Sequence, residues 1–453
     1  MEHMKINCFK AYDVRGRIPD ELNPDIAYRI GNATAVYLDA RQVVLGRDIR
    51  RSSEELAAAV ASGLTDAGAD VLDIGLGGTE MVYFGTGYLG ADGGIMVTAS
   101  HNPADYNGLK FVRRESRPVS IDTGLSDIRV IAQGDQRKIS AEKGSIVKMD
   151  IFDDYLVKLL DYVDVTRLKP LKIVVNAGNG GAGLIVDRLE AFLPFEFIKV
   201  HHEPNGDFPN GVPNPMLEEN RSVTIDAIRA NAADFGIAWD GDFDRCFFFD
   251  GTGRFIEGYY MVSLLAESQL AQSPGAAVVY DPRLIWNTLD TVRNSGGRPV
   301  QSKSGHSFIK EVMRREDAIY GGEMSAHHYF REFFYCDSGM IPWLLVAGIV
   351  SDSGQSLASL VDGCMSRYPS SGEINRQVPD TDAAIELLDR RYRNAALSVD
   401  ETDGISMEFD RWRFNLRASN TEPVIRLNVE SRADPQLMKV KTDELLEELD
   451  TLG

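Results

Sequence analysis

Apolar and polar positions along the chain change their period several times, and each change marks an element. The stretch "VVLGRDIRRSSEELAAAVASGLTDAGADVLDIG" opens on an apolar run, then places Leu56, Val60 and Leu64 on one helical face, halts near Gly68 and resumes as a second apolar run. A short apolar run predicts a buried strand, and recurrence every three to four residues predicts a helix lying over it. Ser52, followed by Glu55, is expected to close a capping box at the start of that helix. The whole reads as a βαβ unit. Similar text begins at Lys172 ("KIVVNAGNGGAGLIVDRLEAFLPFEFIKV") and at Ala276 ("AAVVYDPRLIWNTLDTVRNSGGRPVQS"). Three copies imply three α/β domains, each with helices covering a sheet.

Two stretches interrupt this rhythm. Residues 132–150 ("AQGDQRKISAEKGSIVKMD") are polar and weakly patterned, and residues 366–382 ("SRYPSSGEINRQVPDTD") are rich in Ser and Pro, so both are expected to be junctions. Beyond the second, "RWRFNLRAS" and "VIRLNVES" alternate apolar and polar positions as antiparallel strands do, and an amphipathic helix ends the chain. The expected fold is therefore α/β, with three similar domains on mixed sheets and a smaller C-terminal α+β domain. The boundaries fall at 1–145, 146–255, 256–367 and 368–453.

Charge narrows the partners. With 68 acidic against 48 basic residues the net charge is -20, which opposes binding to nucleic acid or to an anionic membrane surface. A phosphorylated ligand must then be held by local Arg and Lys. The longest apolar run, "MIPWLLVAGIV" at 340–350, is far short of the roughly 20 residues a spanning helix needs. Cys8, Cys246, Cys336 and Cys364 form no CxxC pair, so a reduced, cytoplasmic setting is expected rather than a disulfide framework or a zinc site.

The chemistry-bearing stretches lie in polar loops. In "TASHNPADYNGLK" (98–110), Ser100 stands beside His101, but neighbours in an extended segment point apart, so a hydrolase triad is not expected. In "DGDFDR" (240–245) the alternating Asp240, Asp242 and Asp244 are able to converge on one hard cation; an acidic turn before a hairpin is the plainer alternative. It is not an EF-hand, because Arg245 stands where that loop needs glycine. "GNGGAG" (178–183) has the G-x-G-x-x-G spacing after a strand, and so raises a dinucleotide site on Gly178, Gly180 and Gly183 against an ordinary tight turn. "SKSGHSF" (302–308), "YGGEMSAHHYF" (320–330) and "RASNTEP" (417–423) carry more polar groups than turns require. The first two put small residues beside a histidine, the second adds Glu323 and Ser325 as acceptors and donor for sugar hydroxyls, and the third suits a phosphate; a satisfied surface loop is the equal alternative for each.

Taken in order, "FKAYDVRG", "TASHNP", "DGDFDR", "GEMSAHHYF" and "RASNTEP" resemble the α-D-phosphohexomutase superfamily along essentially the whole chain, most closely its bacterial phosphomannomutase branch. The resemblance implies four domains around a central cleft and a reversible phosphoryl transfer between the 6- and 1-positions of mannose, by way of a phosphoserine and a hexose 1,6-bisphosphate, that supplies GDP-mannose synthesis. It implies Ser100 as phosphoryl carrier and, with Asp240, Asp242 and Asp244, as Mg²⁺ ligand. Arg15, His101, Lys110 and Arg245 are implied around the transferring group. Tyr12, His306, Glu323, Ser325 and His327 are implied against the sugar, and Arg417, Ser419, Asn420 and Thr421 against the other phosphate. A hexose 1,6-bisphosphate activator follows, because its loss would strand the serine unphosphorylated. Glucose phosphates are the alternative substrates, and a metal-dependent sugar phosphatase the alternative activity. Two features depart from the pattern: Asp281-Pro282-Arg283 replaces a lysine-bearing loop, and the pair His327-His328 leaves open which ring faces the sugar, though the register favours His327.

Overall fold

The architecture comes from a computed structural model, which describes residues 5–418 and 424–452. The chain divides into two compact units, one running to Phe255 and including His327–Gly354, the other made of Ile256–Ala326 and the residues from Gln355 onward.

The first unit holds two α/β domains. In the first, Gln42–Arg47 runs parallel to Asp70–Leu76 and Gly93–Val97, while Tyr106–Arg113 and Val14–Arg17 add antiparallel strands at one edge. The sheet is therefore mixed. Strand Gly93–Val97 is buried at every residue, as its continuous apolar text requires. Helix Ser53–Asp66 buries Leu56, Val60 and Leu64, the face read from the sequence. The capping box does not form: Ser52 has helical backbone angles and makes no side-chain cap bond. Its hydroxyl instead accepts from Asn107 Nδ2 at 2.8 Å, a tertiary partner that outcompetes the local one. Residues 132–150 are only partly a junction, since helix Leu125–Gln133 runs into them and Ile146–Lys148 joins the sheet beside Asp70–Leu76.

The second domain has strand order Phe255–Ile256, Cys246–Asp250, Phe235–Trp239, Lys172–Asn176, Glu196–Val200. Phe235–Trp239 is parallel to Lys172–Asn176 and antiparallel to Cys246–Asp250, so a tight reversal is forced between Trp239 and Cys246. The segment His327–Gly354 packs on this unit through its apolar helix Ile341–Ser353. Trp343 of that helix is wholly buried, edge-on to Phe195 and Phe197 at 6.4 and 6.0 Å between ring centroids.

The second unit contains the parallel strands Arg298–Gln301, Ala277–Tyr280 and Tyr320–Gly322, with helices Gly258–Gln272, Trp286–Asn294 and His306–Glu316. The C-terminal domain is an antiparallel sheet in the order Ser370–Gln377, Val424–Ser431, Trp412–Ala418, Ile405–Glu408, Ser398–Asp400. Its core is built from Phe414, Leu416, Ile425, Leu427 and Leu445, among others. Strand Ser370–Gln377 lies inside the stretch expected as a junction. It is an edge strand, and its polar text reflects the one side left to solvent. The α/β class with a C-terminal α+β domain is the fold observed. Among the described residues, no single helix is long and apolar enough to cross a membrane.

Candidate functional site

Strand Gly93–Val97 delivers the chain into a sharp turn, in which Ser100 adopts a left-handed φ of 51°. A non-glycine residue is held there only when its surroundings over-determine it. The surroundings are explicit. Thr98 Oγ1 accepts from the Ser100 amide at 2.9 Å, and the buried Arg50 guanidinium donates to the carbonyls of Ser100, Asn102, Pro103 and Tyr106 at 2.9, 2.6, 2.7 and 2.9 Å. The Ser100 hydroxyl, nearly inaccessible, donates to Asp240 Oδ2 at 2.8 Å.

This turn corrects the expectation that Ser100 and His101 point apart. Because the segment is not extended, His101 Nδ1 lies 3.1 Å from Ser100 Oγ. The ring is nonetheless a poor base. Arg245 Nη2 sits 2.5 Å from the same Nδ1 and engages its lone pair. Burial, reinforced by the positive charges of Arg245 and Arg15, holds the His101 pKa well below its ordinary value.

The three aspartates occupy the reversal between Trp239 and Cys246, where Phe243 takes a φ of 45° and buries its ring beneath them. Asp240, Asp242 and Asp244 are all buried, with candidate ligand oxygens within 4.8 Å of one another. Arg245 Nε donates to Asp240 Oδ2 at 2.8 Å. Lys110 Nζ donates to Asp242 Oδ2 at 2.7 Å and to Asp244 Oδ2 at 2.5 Å. Burial raises the Asp242 pKa, but the Lys110 ammonium outweighs it and holds the carboxyl below the usual range. Asp244 goes the other way, pushed well above its ordinary value by burial and by the charge of Asp242. Lys110 stays charged, because the two carboxylates overcome the desolvation that would lower its pKa.

The loop fits a hard divalent cation. Asp242 Oδ1 is buried and has no hydrogen-bond partner among the described residues, an arrangement that costs free energy unless something electropositive meets that oxygen. Three closely spaced carboxylate oxygens are the donor set such ions take.

Three further residues lie in this unit. Arg15 donates to Asp13 Oδ2 at 2.8 Å and to the Ala99 carbonyl at 3.3 Å, and also bonds the Asn102 side chain, so it braces the serine turn from the neighbouring strand. Tyr12 is half-buried just before Asp13. His327 Nε2 lies 3.9 Å from Asp244 Oδ1 and 3.9 Å from Asp337 Oδ2. His328 is fully buried, its pKa lowered to about 3 by burial, so of the two rings it is His327 that meets the acidic loop.

In the second unit, Glu323 follows strand Tyr320–Gly322, is buried, and accepts from the Gly305 amide at 2.8 Å; His306, beside Gly305, is the first residue of helix His306–Glu316. Arg283 is buried against Asp281 through Nε and Nη2 at 2.9 and 2.8 Å, and it donates to Ser325 Oγ at 3.3 Å. Arginine thus takes up a bracing position in the departing Asp281-Pro282-Arg283 loop. Arg417 is the penultimate residue of strand Trp412–Ala418 and donates to Glu373 Oε2 at 3.1 Å. Ser419, Asn420 and Thr421 lie outside the described residues.

Sequence reasoning passed over Arg50 and the pair Thr79-Glu80. Arg50 sits in "GRDIRRSS", quoted above only for its periodicity. The glycine motif at 178–183 has a packing explanation: a Cβ on Gly180 would lie 2.8 Å from the Gly241 carbonyl oxygen, and one on Gly183 would lie 2.3 Å from that of His202. Those glycines let backbone approach backbone, Gly180 at the aspartate loop and Gly183 at the end of strand Glu196–Val200, which requires no nucleotide.

A buried serine bonded to a three-carboxylate loop, on a four-domain α/β framework, defines the class of the phosphohexose mutases. Residues 7–137, 153–253 and 257–368 match phosphoglucomutase/phosphomannomutase alpha/beta/alpha domains I, II and III, and residues 373–447 match the C-terminal domain of the same family. A protein of Xanthomonas campestris pv. campestris named "Phosphohexose mutases" is 59% identical over 98% of this chain and 99% of its own. A phosphomannomutase of Escherichia coli K12 is 56% identical over 98% of each chain. The crystal structure of a phosphoglucomutase/phosphomannomutase family protein from Burkholderia thailandensis superposes with a TM-score of 0.89 at 32% identity, covering 99% of this chain and 98% of that one. The chain belongs to the phosphoglucomutase/phosphomannomutase family, and it is an isomerase of that kind.

Proposed function

We propose that the chain interconverts mannose 6-phosphate and mannose 1-phosphate through a phosphorylated Ser100 and a hexose 1,6-bisphosphate, in the cytoplasm, as a supply for GDP-mannose synthesis. The observation that carries the reading is the Ser100 hydroxyl, 2.8 Å from Asp240, within a loop whose Asp242 keeps one buried oxygen uncommitted. Mg²⁺ is the cation we assign to Ser100, Asp240, Asp242 and Asp244; bound there, it supplies charge withdrawal from the transferring group.

In one direction the Ser100 Oγ–P bond breaks as a sugar hydroxyl oxygen bonds to phosphorus, and the hydroxyl proton passes to a group in reach; of the candidates Arg15, Lys110 and His327, the first two are held in their charged forms and can only give a proton, which leaves the His327 imidazole to take it. Lys110 and Arg245, both held charged beside the serine loop, stabilise the phosphoryl oxygens as charge spreads onto them. His101, bonded to Arg245, orients that guanidinium. The bisphosphate then turns, and its other phosphoryl group returns to Ser100. The cycle requires that the same sugar be read by Tyr12, His306, Glu323, Ser325 and His327, and that its second phosphate be held by Arg417 with Ser419, Asn420 and Thr421. A hexose 1,6-bisphosphate activator restores enzyme that has lost its phosphoryl group. Four cysteines, three of them buried and none in a disulfide among the described residues, suit a reducing compartment.

Turnover of glucose phosphates is a second reading, favoured by the plural name of the Xanthomonas relatives. One hydroxyl's stereochemistry separates the substrates, and such contacts discriminate modestly. Peptide mass spectrometry of the purified protein should find one phosphate, on Ser100. Coupled assays of both epimers should show a preference for mannose, and Ser100→Ala should abolish isomerisation. Full activity in that variant, or net release of inorganic phosphate without isomer formation, would refute the proposal.

A further inference from the structure

We infer that Thr79 is a positioning residue for the cation, the group that fixes the orientation in which the Asp242 carboxylate meets it. The inference rests on reading the aspartate loop as a cation site.

Thr79 opens helix Thr79–Tyr88 and is fully buried. Its hydroxyl donates to Asp242 Oδ2 at 2.6 Å, and its backbone amide donates to the Asp242 carbonyl oxygen at 3.1 Å. A single residue therefore grips the side chain and the main chain of the same aspartate. The grip depends on close approach: a Cβ on the preceding residue, Gly78, would lie 2.3 Å from the Phe243 ring and 2.6 Å from the Asp242 carbonyl oxygen. Any larger residue at position 78 would push the helix start away from the loop.

The two oxygens of Asp242 are thereby made different. Oδ2 accepts from Thr79 and from Lys110, whereas Oδ1 is buried without a hydrogen-bond partner. Rotation about Cβ–Cγ away from this plane would break both bonds, so the two donors hold the carboxylate with one oxygen turned to the cation. They are not equivalent in permanence. Lys110 also serves Asp244, and its ammonium lies at the end of a flexible stem beside the serine that carries phosphate in the proposed cycle. Thr79 is a neutral donor on a rigid helix start, so it holds Oδ2 whatever Lys110 does, and it adds no positive charge to repel a cation. Donors that orient a ligating carboxylate in this way typically change metal affinity 10- to 100-fold when removed.

The test is titration of the purified protein with Mn²⁺ alone, followed by the paramagnetic resonance signal of the free ion. Thr79→Val, which keeps the shape and removes the hydroxyl, is expected to weaken Mn²⁺ binding about 10- to 100-fold. Thr79→Ser, which restores the donor, is expected to bind within about three-fold of the parent on the same grounds. Should the valine variant not fold, Thr79→Ala removes the same donor, and the assignment stands or falls on whichever of the two is folded by near-ultraviolet circular dichroism. Asp242→Asn run in parallel separates the two levels of reading. If that change leaves Mn²⁺ affinity untouched, the cation site itself is wrong. If it abolishes binding while Thr79→Val and Thr79→Ala both bind as the parent does, Thr79 has no positioning role. Equal weakening in the serine variant would likewise overturn the assignment, because bulk rather than the hydroxyl would then be responsible.

Discussion

Glu80 allows a quantitative test of how the catalytic unit is held together. Its carboxyl is completely buried and accepts four hydrogen bonds: Oε1 from the Tyr155 and Ser338 hydroxyls at 2.5 and 2.9 Å, and Oε2 from the Gly339 and Met340 amides at 2.6 and 3.2 Å. Through them one side chain ties the first domain to the second and to the segment that carries His327. Glu80→Ala does not orphan all four donors equally. Hydroxyls rotate, and the Met340 amide has a second acceptor in Ser338 Oγ at 3.1 Å. The Gly339 amide loses its acceptor outright, at about 1–3 kcal/mol for a buried unpaired donor. With part of the Tyr155 and Ser338 bonds and the emptied volume, the expected loss is about 2–4 kcal/mol. Hydrogen exchange of the peptide spanning 336–345, read by mass spectrometry, should accelerate about 30- to 1000-fold, since 1.4 kcal/mol is tenfold.

Burial also pushes the Glu80 pKa up to about 8, against the lowering effect of its four donors. The unfolded chain ionises near the ordinary glutamate value while the folded protein keeps its proton. Stability should therefore fall as pH rises between roughly 4.5 and 8, by at most about 1.4 kcal/mol per unit, and level off above. Glu80→Gln retains an acceptor for the amides and cannot ionise. It should be close to wild type near pH 5 and lack the decline. Exchange in Glu80→Ala within two-fold of the parent, or the same pH slope in Glu80→Gln, would refute this account.

Arg50→Lys removes the fork that spans four carbonyls of the serine turn; kcat should drop about 10- to 100-fold with KM little changed, measured in the coupled mutase assay. In the second unit Glu430 is fully buried, accepting from Arg413 Nη1 at 2.9 Å and from the Ile285 amide at 2.8 Å. Glu430→Gln leaves the arginine charge unanswered and should destabilise that unit by about 3–5 kcal/mol in thermal unfolding.

What could be read from the text followed the range of the interaction. Leu56, Val60 and Leu64 announced their helix because amphipathicity is local, and Asp240, Asp242 and Asp244 announced a convergent cluster of carboxylates because alternation within a tight loop is local too. Ser52 misled, because a residue 55 positions away claimed its hydroxyl. The orientation of His101 depended on the left-handed backbone of Ser100, which no side-chain pattern encodes. Arg50, Thr79 and Glu80 escaped for a related reason: their partners are carbonyls, amides and a carboxylate brought near only by folding, and "GGTEMVYF" carries no periodic sign of it.

The polypeptide crosses from one compact unit to the other three times, after Phe255, after Ala326 and after Gly354. The unit that carries Ser100 and the aspartate loop is thus not contiguous in the gene. A truncation ending at Phe255 would strip the Trp343 wedge from Phe195 and Phe197 and leave sticky aromatic surface, so insoluble product is expected from such alleles. Anyone wishing to isolate that half must splice residues 327–354 back onto it, or re-order the termini by permutation.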